Sequence, residues 1–209
     1  LVDAKYELPL AFEVTKASES DTKYLEPLAR SLKERQPEVS SRAKTCAADK
    51  GYDSAYNNRV LWDEYGIKPV IDKRAGMWQD GEKTRAIDPQ KADSFVYDEA
   101  GNVSCICPET GAQRTMAFMG FEKARDCLKY RCPAAASGFD CPGREACENA
   151  ANVGSYGRNL RVLLQLDRRI FTPIARHSNQ WQRVYDGRTS VERTNSRVDL
   201  LLGFERHYI

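Results

Sequence analysis

Asp49 stands at the end of Ala43-Lys44-Thr45-Cys46-Ala47-Ala48, a run small and apolar enough for a buried strand, and Lys50-Gly51-Tyr52-Asp53-Ser54 follows it. A carboxylate at the C-terminal end of a strand projects from rigid backbone into the crevice where α/β sheets carry their reactive groups. Taken alone, Asp49 better fits a cap on the next helix. Far along the chain, Tyr185, Arg188 and Glu192 fall at i, i+3 and i+7, so a helix that begins early enough puts all three on one face. A Glu on a helix facing an Asp on a strand supplies the oxygen ligands a divalent cation requires, and Arg188 beside them suits a phosphate. As a bare pattern, the same three residues also fit a solvated helix face.

Cys107, Cys132, Cys141 and Cys147 form a third set, and Pro108, Pro133 and Pro142 each directly follow a cysteine. Four thiolates suit tetrahedral Zn²⁺ in a structural site, which would hold together a Gly-rich module too small to build a core. Cys105 can replace Cys107 as ligand; Cys46 and Cys127 read as buried apolar thiols. His177 and His207 read as polar surface or helix-end residues, and Trp62, Trp78 and Trp181 as packing, with Trp181 also able to stack on an unpaired base.

These groups sit in a chain of 209 residues, 41% hydrophobic and 30% charged, a globular balance with room for a real core. No apolar run approaches the roughly 20 residues of a membrane helix. Leu1-Val2-Asp3-Ala4-Lys5 lacks the basic start and apolar stretch of a signal peptide, so the seven cysteines point to metal rather than disulfides. The net charge of +2 hides an asymmetry, because residues 151–209 hold ten arginines, no lysine and five acids. Planar guanidinium groups suit phosphate, although an Arg-rich solvated face has the same composition.

The elements that must position these groups begin with LVDAKYELPLAFEVTKA, which reads as two short antiparallel strands around a turn. A helix capped at Ser20 or Asp21 follows, with Tyr24, Leu25, Leu28 and Leu32 at helical spacing and an end before Pro37. A strand over 43–49, a helix from Asp53 or Ser54 through Leu61 and Tyr65, and a strand over 68–72 complete the first part. Residues 73–150 are Gly-punctuated, with short stretches such as Ser94-Phe95-Val96-Tyr97. From Asn159 to Ile170 a helical pattern returns, and a last helix runs from about Ser190 to Gly203. The chain opens on strand without Met and reads as part of a longer protein.

Read together, LVDAKYELPLAFEVTKASESDTKYLEPL, AADKGYDS and RTSVERTNSRVDLLLGFERHYI resemble, in order, internal segments of the insertion-sequence transposases of the DDE class. The resemblance implies an α/β fold, a ribonuclease-H-like mixed sheet with flanking helices. Residues 1–72 form its first part and 151–209 its last, with 73–150 an inserted, zinc-stabilised cysteine-rich module. It implies an Asp, Asp, Glu set on Mg²⁺ or Mn²⁺, with Asp49 the second acid and Glu192 the third, and DNA contacts from Tyr185, Arg188, Arg193 and Arg197. The first acid belongs on a strand ahead of Leu1, since the turn after Asp3 falls at the opposite end of the sheet from Asp49; the chain alone is therefore expected to be inactive. Asp21, where the family tends to have an Asp, reads as a helix cap, and Asp199 stands where the family often has a Lys. The implied activity is cleavage at transposon ends and strand transfer into target DNA, by a homodimer on DNA in a prokaryotic cytoplasm. A nuclease of the same fold and a non-catalytic DNA-binding remnant are the rival readings.

Overall fold

The computed structural model describes residues 1–16, 18–76, 78–79, 81–91, 94–138, 140–151 and 156–203. The chain divides into two compact units, residues 1–74 with 179–209, and residues 75–178.

In the first unit the opening hairpin is reduced to one antiparallel bridge, Val2 to Pro9, with Asp3 Oδ1 accepting from the Lys5 and Tyr6 amides in the turn. Tyr6, Leu8, Phe12 and Val14 are left 64%, 58%, 76% and 86% exposed. Two strands without a third are marginal in water, and this stripe has nothing to pack on. Helix α1 (Leu25–Arg35) buries Leu25, Leu28, Ala29 and Leu32 on one stripe, and α2 (Pro37–Arg42) starts on Pro37, whose missing amide costs nothing at a helix start. Strand β1 (Thr45–Ala48) is followed by α3 (Ala55–Asp63), which is capped by Ser54 Oγ accepting from the Asn57 amide. Strand β2 (Lys68–Ile71) pairs with β1 in parallel, Ala48 against Ile71. Leu25, Ala29, Ala48, Leu61 and Ile71 make the core, with Cys46, Tyr52 and Tyr65 packed on it. The expected mixed sheet is thus not assembled among the described residues: β1 and β2 form a parallel pair, and the opening residues stand outside it.

The second unit has two antiparallel sheets. One orders β3 (Arg85–Ala86), β4 (Phe95–Tyr97), β5 (Val103–Ile106) and β6 (Gln113–Thr115); the other orders β7 (Ala117–Glu122), β8 (Cys127–Arg131) and β9 (Asn159–Leu163). Helices α4 (Pro133–Ser137) and α5 (Arg144–Ala151) lie between β8 and β9 in sequence. The helix expected over 159–170 is therefore strand β9 followed by one 3-10 turn, Leu164–Leu166. Val162 and Leu164 are buried while Arg161 and Leu163 face out, an alternation that pairing with β8 rewards. Because β9 belongs to this sheet, the chain returns to the first unit at 179 rather than 151. Nor does this unit lack a core: Val103, Leu128, Tyr130, Val162, Leu164, Ile170 and Phe171 are at most 2% exposed. His177 is half-buried rather than free on the surface: its ring meets Phe118 edge-on at 5.4 Å and burial pushes its pKa below the usual value. His207 lies outside the described residues.

The return to the first unit consists of α6 (Asn179–Asp186), which packs on β1 and β2, and α7 (Thr189–Leu202), stopped by Gly203 at φ 65°. A left-handed residue after the last turn ends a helix most cheaply as glycine. No helix among the described residues is long and apolar enough to cross a membrane.

Candidate active site

Parallel strands finish at the same edge, so β1 and β2 bring Asp49 and Asp72 to neighbouring ends. Asp49 Oδ1 accepts from the Gly51 amide at 2.8 Å, capping the single 3-10 turn Lys50–Tyr52. The carboxylate thus does cap, and it does so while seated at the strand end.

The turn is fastened to the segment before α1. The Thr22 hydroxyl donates to Gly51 O at 2.8 Å, and Asn57 Nδ2 donates to Thr22 O at 3.0 Å and Tyr52 O at 2.7 Å. Arg74 adds Nε to Lys50 O at 2.9 Å, Nη2 to Thr22 Oγ1 at 2.7 Å, and a further bond to Gly51 O. Buried Asp53 accepts from the Arg74 amide at 2.8 Å. Asn57 and Arg74 lie outside the segments that carry the resemblance, whereas Thr22 and Gly51 lie inside SESDTKYLEPL and AADKGYDS. An ideal Cβ on Gly51 would lie 2.8 Å from Asp49 Oδ1 and 3.1 Å from Asp21 Oδ2, so glycine leaves open the space both carboxylates use. Asp21 does not cap a helix: neither the 3-10 turn Asp21–Lys23 nor α1 has a side-chain cap bond. The Tyr52 phenol is pushed up first by burial and then by the charges of Asp21 and Asp49.

Tyr185, Arg188 and Glu192 do not share one continuous helix, because α6 ends at Asp186 and α7 starts at Thr189. Three-residue hydrogen bonds carry the chain across the break, from the Gly187 amide to Val184 O and from the Arg188 amide to Tyr185 O. The three side chains stay linked all the same. Arg188 Nη1 meets Glu192 Oε1 at 2.7 Å, and its guanidinium lies 5.4 Å from the Tyr185 ring, which itself stacks on Trp181 at 4.9 Å. Burial disfavours the Arg188 charge, but Glu192, Tyr185 and Asp49 together outweigh it and raise its pKa. Tyr185 is pushed up by burial and then by Asp72, with Asp49 contributing. Arg188 is therefore paired with the helix-borne Glu192 and also feels the charge of the strand-borne Asp49.

Arg193 and Arg197 both ion-pair with Glu7, and Arg193 holds it well below the usual carboxylate range. Their side chains remain 52% and 57% exposed. Other arginines of the basic segment are spent inside the second unit: Arg158 donates to Ser94 O and Ile106 O, and Arg161 pairs with Glu122.

In the second unit Cys105, Cys107, Cys132, Cys141, Cys147 and Arg158 line one cavity of about 40 Å³. Glycines allow the approach: a Cβ on Gly143 would lie 2.1 Å from Cys107 Sγ, and one on Gly157 2.5 Å from Cys132 Cβ. The Thr110 hydroxyl, then the Thr110 and Glu109 amides, lower the Cys107 pKa, whereas burial raises that of Cys147. All seven cysteines are free thiols, Cys127 fully buried and Cys46 partly so. Among the described residues no group of three or more His, Cys, Asp or Glu is arranged to hold a metal ion. The thiols share a cavity without closing on a centre.

No curated protein and no solved structure matches the chain. The family model for the transposase DDE domain matches residues 1–209, running through the cysteine-bearing unit as well as the Asp49 and Glu192 segments. The chain belongs to the family of transposase DDE domains.

Proposed function

We propose that this chain is the larger part of a ribonuclease-H-like catalytic domain that cuts DNA at insertion-sequence ends and joins the freed 3′ hydroxyl to target DNA. The observation that carries this reading is Arg188, ion-paired with Glu192 and within the field of Asp49, although 143 positions separate the two acids. Mg²⁺ or Mn²⁺ bound by Asp49 and Glu192 would activate the attacking oxygen and stabilise the leaving one. The donor set is right in kind for a hard cation, since both groups are carboxylates. Glu192 holds the Arg188 guanidinium in place, and Arg188 in turn holds the scissile phosphate. Tyr185 supports Arg188 with its ring, and Arg193 and Arg197 exchange Glu7 for backbone phosphates when DNA arrives.

The first acid is assigned to a strand ahead of Leu1. Among the described residues β1 pairs only with β2, and its Thr45, Cys46 and Ala47 line a groove of about 810 Å³ that Leu10, Leu25, Val39, Val184 and Val191 also wall. A strand laid there would pair β1, complete a mixed sheet and give the exposed stripe from Tyr6 to Val14 a neighbour. The second unit, residues 73–150 in the sequence reading and 75–178 by its packing, is read as an insertion. Cys107, Cys132, Cys141 and Cys147 are right in kind for structural Zn²⁺, and binding would draw the four sulfurs together. The protein acts on DNA as a homodimer in a prokaryotic cytoplasm, near the nucleoid.

The test is a longer protein that restores the upstream strand, given Mg²⁺ and its own transposon ends. Cleavage and strand transfer are expected, and Glu192→Gln should abolish both while leaving DNA binding nearly intact. Cleavage without joining would make the protein a nuclease of the same fold. Binding without either would make it a DNA-binding remnant, and loss of binding and cleavage together in Glu192→Gln would make Glu192 structural.

A further inference from the structure

Strand β8 sends Leu128 and Tyr130 into the core of the second unit, 1% and 2% exposed, so Lys129 and Arg131 stand on its opposite face. Its partner β9 buries Val162 and leaves Asn159, Arg161 and Leu163 exposed on that same face. The antiparallel register sets Lys129 directly across from Arg161, and Arg131 across from Asn159. Like charges placed opposite each other weaken a sheet, so this pair does nothing for the fold and points to an anion outside it. Glu122, the one acid that β7, β8 and β9 carry, meets Arg161 Nε at 3.1 Å. Its other oxygen takes Arg125 Nη1, from the turn between β7 and β8, at 3.2 Å. These pairs hold Arg161 and Arg125 in place but leave their side chains 52% and 59% exposed. The Glu122 carboxyl is held below the usual carboxylate range, first by its bond to Arg161, with Arg125 and Lys129 adding their charges. Arg131 lies 4.6 Å from the centre of the exposed Tyr156 ring, just ahead of β9.

We propose that this sheet face is a DNA-docking surface of the second unit, gripping the phosphate backbone of duplex DNA through Arg125, Lys129, Arg131 and Arg161. The inference rests on the reading of the chain as a DNA transposase and gives the second unit a binding task of its own. Charge complementarity selects the partner: four cations share the face with one carboxylate. Lys129 and Arg131, two positions apart on a strand, are about 7 Å apart along it, far enough to take separate phosphates. One exposed tyrosine is too small a stacking platform for an unpaired strand, whereas guanidinium and ammonium groups suit backbone phosphates whatever the sequence.

The experiment measures binding of the 209-residue chain to a fluorescein-labelled duplex DNA by anisotropy over a range of salt, with the folding of each variant checked by circular dichroism. Lys129→Gln with Arg131→Gln should weaken binding by about tenfold or more and lower the log-log salt slope by about 2, one phosphate for each cation. Lys83→Gln, which removes an exposed cation from the segment before β3, should leave the slope unchanged. Glu122→Gln, which keeps every cation and takes away the acid, should tighten binding severalfold, a gain that damage to the fold cannot give. A double variant that binds like the unaltered chain, while Arg193→Gln with Arg197→Gln loses the DNA, would overturn the inference and leave the transposase reading standing. Unchanged or weaker binding by Glu122→Gln would also overturn it. So would a double variant that loses single-stranded DNA or RNA but keeps the duplex, since the face would then belong to that partner. A folded, unaltered chain that holds no DNA at low salt would overturn the docking surface, while cleavage by the longer protein would still test the transposase reading.

Discussion

Asn57→Ala is the sharpest test of how the Asp49 turn is held. The side chain is 1% exposed and its amide donates to Thr22 O and Tyr52 O at 3.0 and 2.7 Å. Alanine removes two hydrogen bonds of about 1 kcal/mol each and leaves two carbonyls short of a donor, for a total of about 2–4 kcal/mol. With a urea slope of about 1–2 kcal/mol/M for a unit of this size, the midpoint should fall by roughly 1–4 M. Trp62 and Trp181 lie in the affected unit and Trp78 in the other, so fluorescence in a Trp78→Phe background follows the right transition. A loss below about 0.5 kcal/mol would show that the Thr22 and Arg74 bonds hold the turn unaided, and that Asn57 is not its anchor.

Three further outcomes are expected. Burial lowers the folded-state pKa of His177, so the unfolded chain binds the extra proton more readily; stability should be full above about pH 6.5 and fall as pH drops through the lowered value. Melting temperatures across that window should show the fall, and His177→Phe should flatten it. Reduced, purified protein should contain one zinc per chain by elemental analysis, and a chain free of zinc would remove the proposed thiolate site. Gly143→Ala sets a methyl group on Cys107 Sγ, so it should cost about 1–3 kcal/mol in the second unit by denaturant titration and lower its zinc content.

What could be read from the sequence follows the range of the interactions involved. Asp49 at a strand end, Ser54 as a cap and Gly203 as a stop depend on neighbours within a few positions, and each has a residue type that announces it. Strand β9 was hidden because Leu160, Leu163 and Leu164 fit a helical stripe as well as an alternation, and only pairing with β8, about thirty residues earlier, decides between them. The pairing of Arg193 and Arg197 with Glu7 spans nearly the whole chain and leaves no local mark. The same holds for the clamp of Thr22, Asn57 and Arg74, whose residue types are ordinary and whose meaning lies in three distant segments meeting. Asp21 was misread for the opposite reason: an acid ahead of a helix has a local explanation, and only the geometry at Gly51 shows that it is not the one used.

The division of the chain bears on how it comes into being on the ribosome. Residues 1–74 emerge first but lack α6, which packs on both strands of their sheet, until residues 179–186 have been made. Closing that gap as an unstructured loop of roughly a hundred residues would cost about 4 kcal/mol in chain entropy. The second unit is contiguous and carries its own core, so it can fold during the wait and shorten the effective loop. Mutations that slow the second unit should therefore delay the first one as well, and the interval in which a bare parallel pair waits for its covering helix is when the nascent chain has most need of a chaperone.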